Sequence, residues 1–81
     1  MSPADSVTDQ RLATLVPTWQ DSSGKALSCH EKIKVLNQNL GELLELAQDA
    51  LEDAVLMGAD EAQVRACLHA MVDALENPYD S

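Results

Sequence analysis

The sequence is poor in aromatic residues, with no Phe, one Trp and one Tyr, and it has only three Gly and three Pro. So few turn-forming residues argue against a β-sandwich or β-barrel, which needs a turn after each short strand. Because 46% of the 81 residues are hydrophobic, the apolar surface must come mainly from Leu, Val, Ala and Met. The composition therefore predicts one small, all-α domain.

Basic residues are also scarce, since five Lys and Arg stand against 14 Asp and Glu, for a formal charge of −9. Direct binding to nucleic acid or to an anionic membrane requires a basic surface, so both are disfavoured. The acidic excess leaves three uses: solubility, attraction of a basic protein partner, or mimicry of nucleic acid.

Two cysteines, Cys29 and Cys67, are too few for a secreted disulfide scaffold. No apolar run approaches the roughly 18 residues of a membrane span, and the first residues lack the pattern of a signal peptide. We therefore predict a cytoplasmic protein. Neither Cys29-His30 nor Cys67-x-His69 has zinc-site spacing, so we expect no metal and no cofactor. Cys67 is predicted to be a small hydrophobic residue buried in the core, and Cys29 to be a free thiol near a helix start.

A regular apolar pattern predicts one long helix over about residues 28–57. From Ile33 onward, apolar residues recur at alternating spacings of three and four, which is the heptad pattern of a coiled-coil seam. The seam consists of Ile33, Leu36, Leu40, Leu43, Ala47, Ala50, Ala54 and Met57. Leu44 and Leu51 widen this seam on one side. Gly58 supplies the left-handed residue that commonly ends a helix.

A second, shorter helix is predicted over about residues 61–76, with Asp60 as its N-cap and Asn77-Pro78 after its end. The short connection between the two helices predicts an antiparallel helical hairpin. The chain is thus expected to consist of an N-terminal arm at 1–27, the hairpin at 28–77 and a tail at 78–81. Within the arm, a short helix over about 8–16 is predicted to end at Pro17.

The two predicted helices differ in length, so the shorter one covers only part of the seam. Ile33, Leu36 and Leu40 then need another cover, either the Leu12–Trp19 segment or a second copy of the chain. We predict self-association into a dimeric four-helix bundle. The residues predicted to form that contact are Ile33, Leu36, Leu40, Leu43 and Leu44.

The long helix also carries an acidic face, because no basic residue lies between Val35 and Val64. The residues predicted to form this face are Glu42, Glu45, Asp49, Glu52 and Asp53. Lys32 and Lys34 lie near the start of the same helix, which is unfavourable for the helix dipole. The face has three interpretations: it is solvated, it orients antiparallel copies of the helix, or it meets a basic partner.

No nucleophile–base pair, phosphate-binding loop or cleft with paired carboxylates is recognisable, so we predict a non-enzymatic protein. The predicted function is a protein–protein interaction module, an acidic adaptor or regulatory subunit that forms a homodimer through its seam. The alternative is an acidic inhibitor that blocks a basic, nucleic-acid-binding groove on a partner protein. A thiol-based redox role for Cys29 is a third hypothesis that depends on one residue.

Overall fold

The computed structural model of the protein describes residues 10–79, of which 66% are helical and none lies in a strand. Helix α1 covers residues 10–15, α2 covers His30–Leu56 and α3 covers Glu61–Asp73. The predicted all-helical class, with one long helix and a shorter one packed beside it, is confirmed. The first two residues of the predicted N-terminal helix, 8 and 9, lie outside the described residues.

The described chain divides into two compact units, at residues 10–46 and 47–79. The first unit holds α1, a loop and the N-terminal part of α2. The second holds the C-terminal part of α2 together with α3. Neither unit contains a fully buried residue, because every packed side chain within 10–79 retains part of its solvent exposure.

In the first unit, a tight loop returns the chain from α1 to the start of α2. Asp21 Oδ1 accepts hydrogen bonds from Ser23 Oγ at 2.6 Å and from the Lys25 N–H at 3.0 Å. These two donors, the Ser23 hydroxyl foremost, hold the pKa of Asp21 below its ordinary value of 3.8. Leu27 donates its N–H to the Trp19 carbonyl at 2.9 Å, which closes the loop.

In the second unit, the predicted end of α2 is confirmed in detail. Gly58 has a φ of +92°, its N–H bonds to the Val55 carbonyl, and the N–H of Ala59 bonds to the Ala54 carbonyl. This pair of bonds is the Schellman motif, which requires a residue in the left-handed conformation. Gly satisfies that requirement without the steric cost of a Cβ.

Helix α3 begins as predicted, because Asp60 Oδ2 accepts the N–H of Gln63 at 2.9 Å. It ends at Asp73, three residues before the predicted end at 76. The N–H of Leu75 donates a hydrogen bond to the Val72 carbonyl in a tight turn, and Leu75 is 76% exposed to solvent. The last predicted turn therefore lacks apolar packing. Asn77 also precedes Pro78, which disfavours helical backbone at that residue.

Candidate interaction surfaces

The residues predicted for self-association lie on two sides of α2. Ile33, Leu36, Leu40 and Leu44 are half-buried, whereas Leu43 is 57% exposed. The covered side contains Ile33 and Leu40, which occupy the same heptad position of the seam, and Leu44, which widens the seam. Leu43 is therefore accessible in the single chain, whereas the other four are partly covered. The structure does not test whether any of the five joins two copies.

The N-terminal segment contacts this covered side at two neighbouring turns of α2. The indole Nε1 of Trp19 donates a 2.8 Å hydrogen bond to Asn37 Oδ1. One turn further on, a Cβ built at Gly41 would lie 3.4 Å from Leu12 Cδ2, so the leucine side chain rests directly on the glycine. Of the two covers considered from the sequence, the N-terminal segment therefore occupies the α2 surface at Asn37 and Gly41.

A second group of apolar side chains remains exposed in the first unit, and we call it the outer stripe: Val35, Leu43 and Leu46. Their exposed fractions are 54%, 57% and 68%, respectively. At 100° per residue they fall within about 80° of one another on α2. Beside them is an open cleft of about 420 Å³, lined by Glu31, Lys32, Val35, Leu36 and Asn39.

Sequence reasoning missed Val35 and Leu46 because neither residue falls on the heptad counted from Ile33. Leu36, Asn39, Leu43 and Leu46 also follow spacings of three and four, so the helix carries two overlapping periodic patterns. The second pattern was visible in the sequence, but the polar Asn39 interrupts it.

The predicted acidic residues of α2 are largely accessible. Glu42, Asp49, Glu52 and Asp53 are exposed, and Glu45 is half-buried. The charge is nevertheless divided unevenly between the units. Residues 10–46 contain four acidic and four basic residues and have no net formal charge, whereas residues 47–79 contain seven acidic residues and one Arg, a formal charge of −6.

The strongly acidic second unit contains an open cleft of about 380 Å³, formed by the last turns of α2 and the first turns of α3. Its apolar lining consists of Leu51, Val55 and Leu56. The charged lining consists of Glu52, Glu61 and Arg65, and Arg65 Nε donates to Glu61 Oε2 at 2.8 Å. Val55 and Leu56 are 47% and 85% exposed.

The cysteines differ from the prediction at one position. Cys29 is an exposed free thiol, as expected, and its carbonyl accepts the Ile33 N–H at the start of α2. Cys67 is also exposed, so the prediction that it is buried in the core is wrong. Of the apolar residues of α3, Val64 and Leu68 are half-buried instead. Within residues 10–79 no group of His, Cys, Asp and Glu side chains is placed to hold a metal ion.

No helix within the described range 10–79 has both the length and the apolar character needed to cross a membrane. Comparison of the chain with protein-family models, with curated proteins and with solved structures gave no match.

Proposed function

We propose that the protein is a non-enzymatic interaction module that self-associates through the outer stripe of α2. The observation that carries the proposal is that Val35, Leu43 and Leu46 are all more than half exposed on one side of a single helix. The described residues include no fully buried side chain, so a second copy offers apolar burial that the described monomer does not achieve.

The size of the stripe predicts weak self-association. Full burial of such a side chain contributes about 1.5–3 kcal/mol. Burying the exposed parts of Val35, Leu43 and Leu46 would therefore contribute about 3–5 kcal/mol per copy, and twice that in a symmetric pair. Association itself costs about 4 kcal/mol or more. At the upper end of this range the net gain is about 6 kcal/mol, so we expect a dissociation constant of tens of micromolar.

Two further features support the arrangement predicted from the sequence, and a third supports the predicted location. Four residues separate Leu56 from Glu61, and so short a connection favours an antiparallel hairpin of α2 and α3. Among the described residues, the excess negative charge lies in the second unit and not around the proposed contact. Two such hairpins would form a four-helix bundle. The exposed, unlinked thiols are typical of a reducing compartment and support a cytoplasmic location.

The test is sedimentation velocity over a range of protein concentrations with two matched variants. Leu43→Gln combined with Leu46→Gln removes the apolar stripe without changing the charge, and should shift the chain to monomer. The control Leu15→Gln makes the same change at a leucine of α1 that is 67% exposed, and should leave association unchanged. A wild-type chain that stays monomeric up to several hundred micromolar would contradict the proposal.

The exposed acidic residues favour a second candidate function, the blocking of a basic groove on a partner protein. It is supported by the four accessible carboxylates of the predicted acidic face, Glu42, Asp49, Glu52 and Asp53. Changing Glu42, Glu45, Asp49 and Glu52 to Lys should abolish capture of nucleic-acid-binding proteins from a lysate while helicity is retained. Capture of the same proteins by the charge-reversed variant would rule out this function.

A further inference from the structure

The second unit presents a binding surface that the proposed self-association does not use. In its cleft, Leu51, Val55 and Leu56 provide an apolar floor. Glu52 provides a carboxylate beside it, and the other lining carboxylate, Glu61, is paired with Arg65. Leu56 and the neighbouring Met57 are 85% and 84% exposed, although large apolar side chains are usually covered. Methionine is common at binding surfaces because its side chain adapts to different partners.

Charge complementarity indicates what kind of molecule fits this surface. The formal charge of −6 within residues 47–79, with a single Arg, favours a cationic ligand. Arg65 already bonds to Glu61, so that basic group is engaged inside the unit. A second copy of this chain would bring its own −6 to the contact and be repelled. A cationic partner with apolar side chains satisfies both features of the cleft.

We propose that the cleft between the end of α2 and the start of α3 binds a basic amphipathic helix of a partner protein. The apolar side of that helix contacts Leu51, Val55 and Leu56, and its Lys or Arg side chains face the surrounding carboxylates. An amphipathic helix is the appropriate shape because its apolar residues recur on one side while its charges flank them. The proposal adds a second surface and a partner class to the interaction module proposed above.

The experiment uses the full chain and two synthetic peptides of about 18 residues, long enough to form helix on binding. One contains only Leu and Lys, with Leu at helical spacing, and the other has Glu in place of Lys. Fluorescence anisotropy of the labelled peptides gives the affinities. The Leu–Lys peptide should bind, and the Leu–Glu peptide should not.

Point variants locate the binding to the cleft. Leu56→Gln should weaken binding of the Leu–Lys peptide about tenfold or more, because the side chain loses most of its burial in the complex. The control Leu15→Gln should leave the affinity unchanged. Glu52→Gln should weaken binding severalfold and reduce its salt dependence, whereas Glu31→Gln, an exposed acidic residue of the first unit, should not.

Each other outcome overturns the proposal. One such outcome is no binding of the Leu–Lys peptide at about 100 μM. The others are an equal loss of affinity for this peptide in the Leu56→Gln and Leu15→Gln chains, or no loss of affinity in either. A Leu56→Gln chain that loses self-association but binds the peptide normally would assign the cleft to a contact between copies. The Leu43→Gln/Leu46→Gln variant should bind the peptide normally, so failure of self-association and failure of this proposal are distinguishable.

Discussion

The contact between Trp19 and Asn37 is the best-defined link between the N-terminal segment and α2, and its energy can be predicted. The 2.8 Å hydrogen bond joins two half-buried side chains 18 residues apart. A hydrogen bond of this kind contributes about 0.5–1.5 kcal/mol, because water competes for both groups in the unfolded chain. We expect a coupling energy of about 1 kcal/mol between the two residues.

A double-mutant cycle isolates this coupling from the other effects of each substitution. Trp19→Phe removes the donor and Asn37→Ala removes the acceptor, while the higher helix propensity of Ala cancels in the cycle. Urea unfolding followed by far-UV circular dichroism gives the free energies, at a concentration where sedimentation shows monomer. The control cycle pairs Trp19→Phe with Gln38→Ala, at the exposed neighbour of Asn37, and should give no coupling.

The single Trp provides an independent measurement, since all indole fluorescence comes from Trp19. In the Asn37→Ala chain its emission should shift to the red, because the segment that holds the indole against α2 is released more often. A coupling below about 0.3 kcal/mol, which is the usual error of additivity, would refute the docking of this segment. So would an emission maximum of fully hydrated indole in the wild-type chain.

Four other predictions follow from individual residues. Gly41→Ala should raise the free energy of unfolding by about 0.5–1 kcal/mol, since the new Cβ lies at ordinary contact distance, 3.4 Å from the α1 leucine. Gly58→Ala should lower it by about 1–2 kcal/mol because φ is +92°. Asp60→Ala should lower it by about 1 kcal/mol through loss of the α3 cap. All three are measured by thermal or urea unfolding. The folded pKa of Asp21 is lowered, so its hydrogen bonds stabilise the loop fully above pH 3.8. This stabilisation is lost as the pH falls through the folded pKa, and hydrogen exchange of the Lys25 amide should become faster there.

The ends of the helices were predictable because their signals are local. Gly58 is the residue type that tolerates positive φ, and Asp60 has a short carboxylate that reaches a free N–H two or three residues on. Both were predicted from residue type and position alone, and both are confirmed by hydrogen bonds. The end of α3 was less predictable, because its last turn depends on packing that Leu75 does not obtain.

The choice of covered face was not predictable from the apolar pattern. Helical periodicity identifies columns of apolar residues, but several columns on α2 are apolar, and tertiary contacts decide which is covered. Two contacts on the covered side use Asn37 and Gly41, a polar residue and one without a side chain, so neither contributes to a hydrophobic pattern. The exposure of Cys67 was likewise not predictable from the pattern, since Val64 and Leu68 are the half-buried residues of α3.

The use of Asn37 and Gly41 as docking points has a consequence for the rest of α2. The N-terminal segment contacts α2 at these two points, on the side where Ile33, Leu40 and Leu44 are half-buried. The outer stripe of Val35, Leu43 and Leu46 therefore remains exposed on another side of the same helix. Selection for the stability of a monomer alone would favour burying these side chains, because each contributes most when covered. Their exposure together on one side of α2 is the physical reason to expect that this surface is completed by another chain.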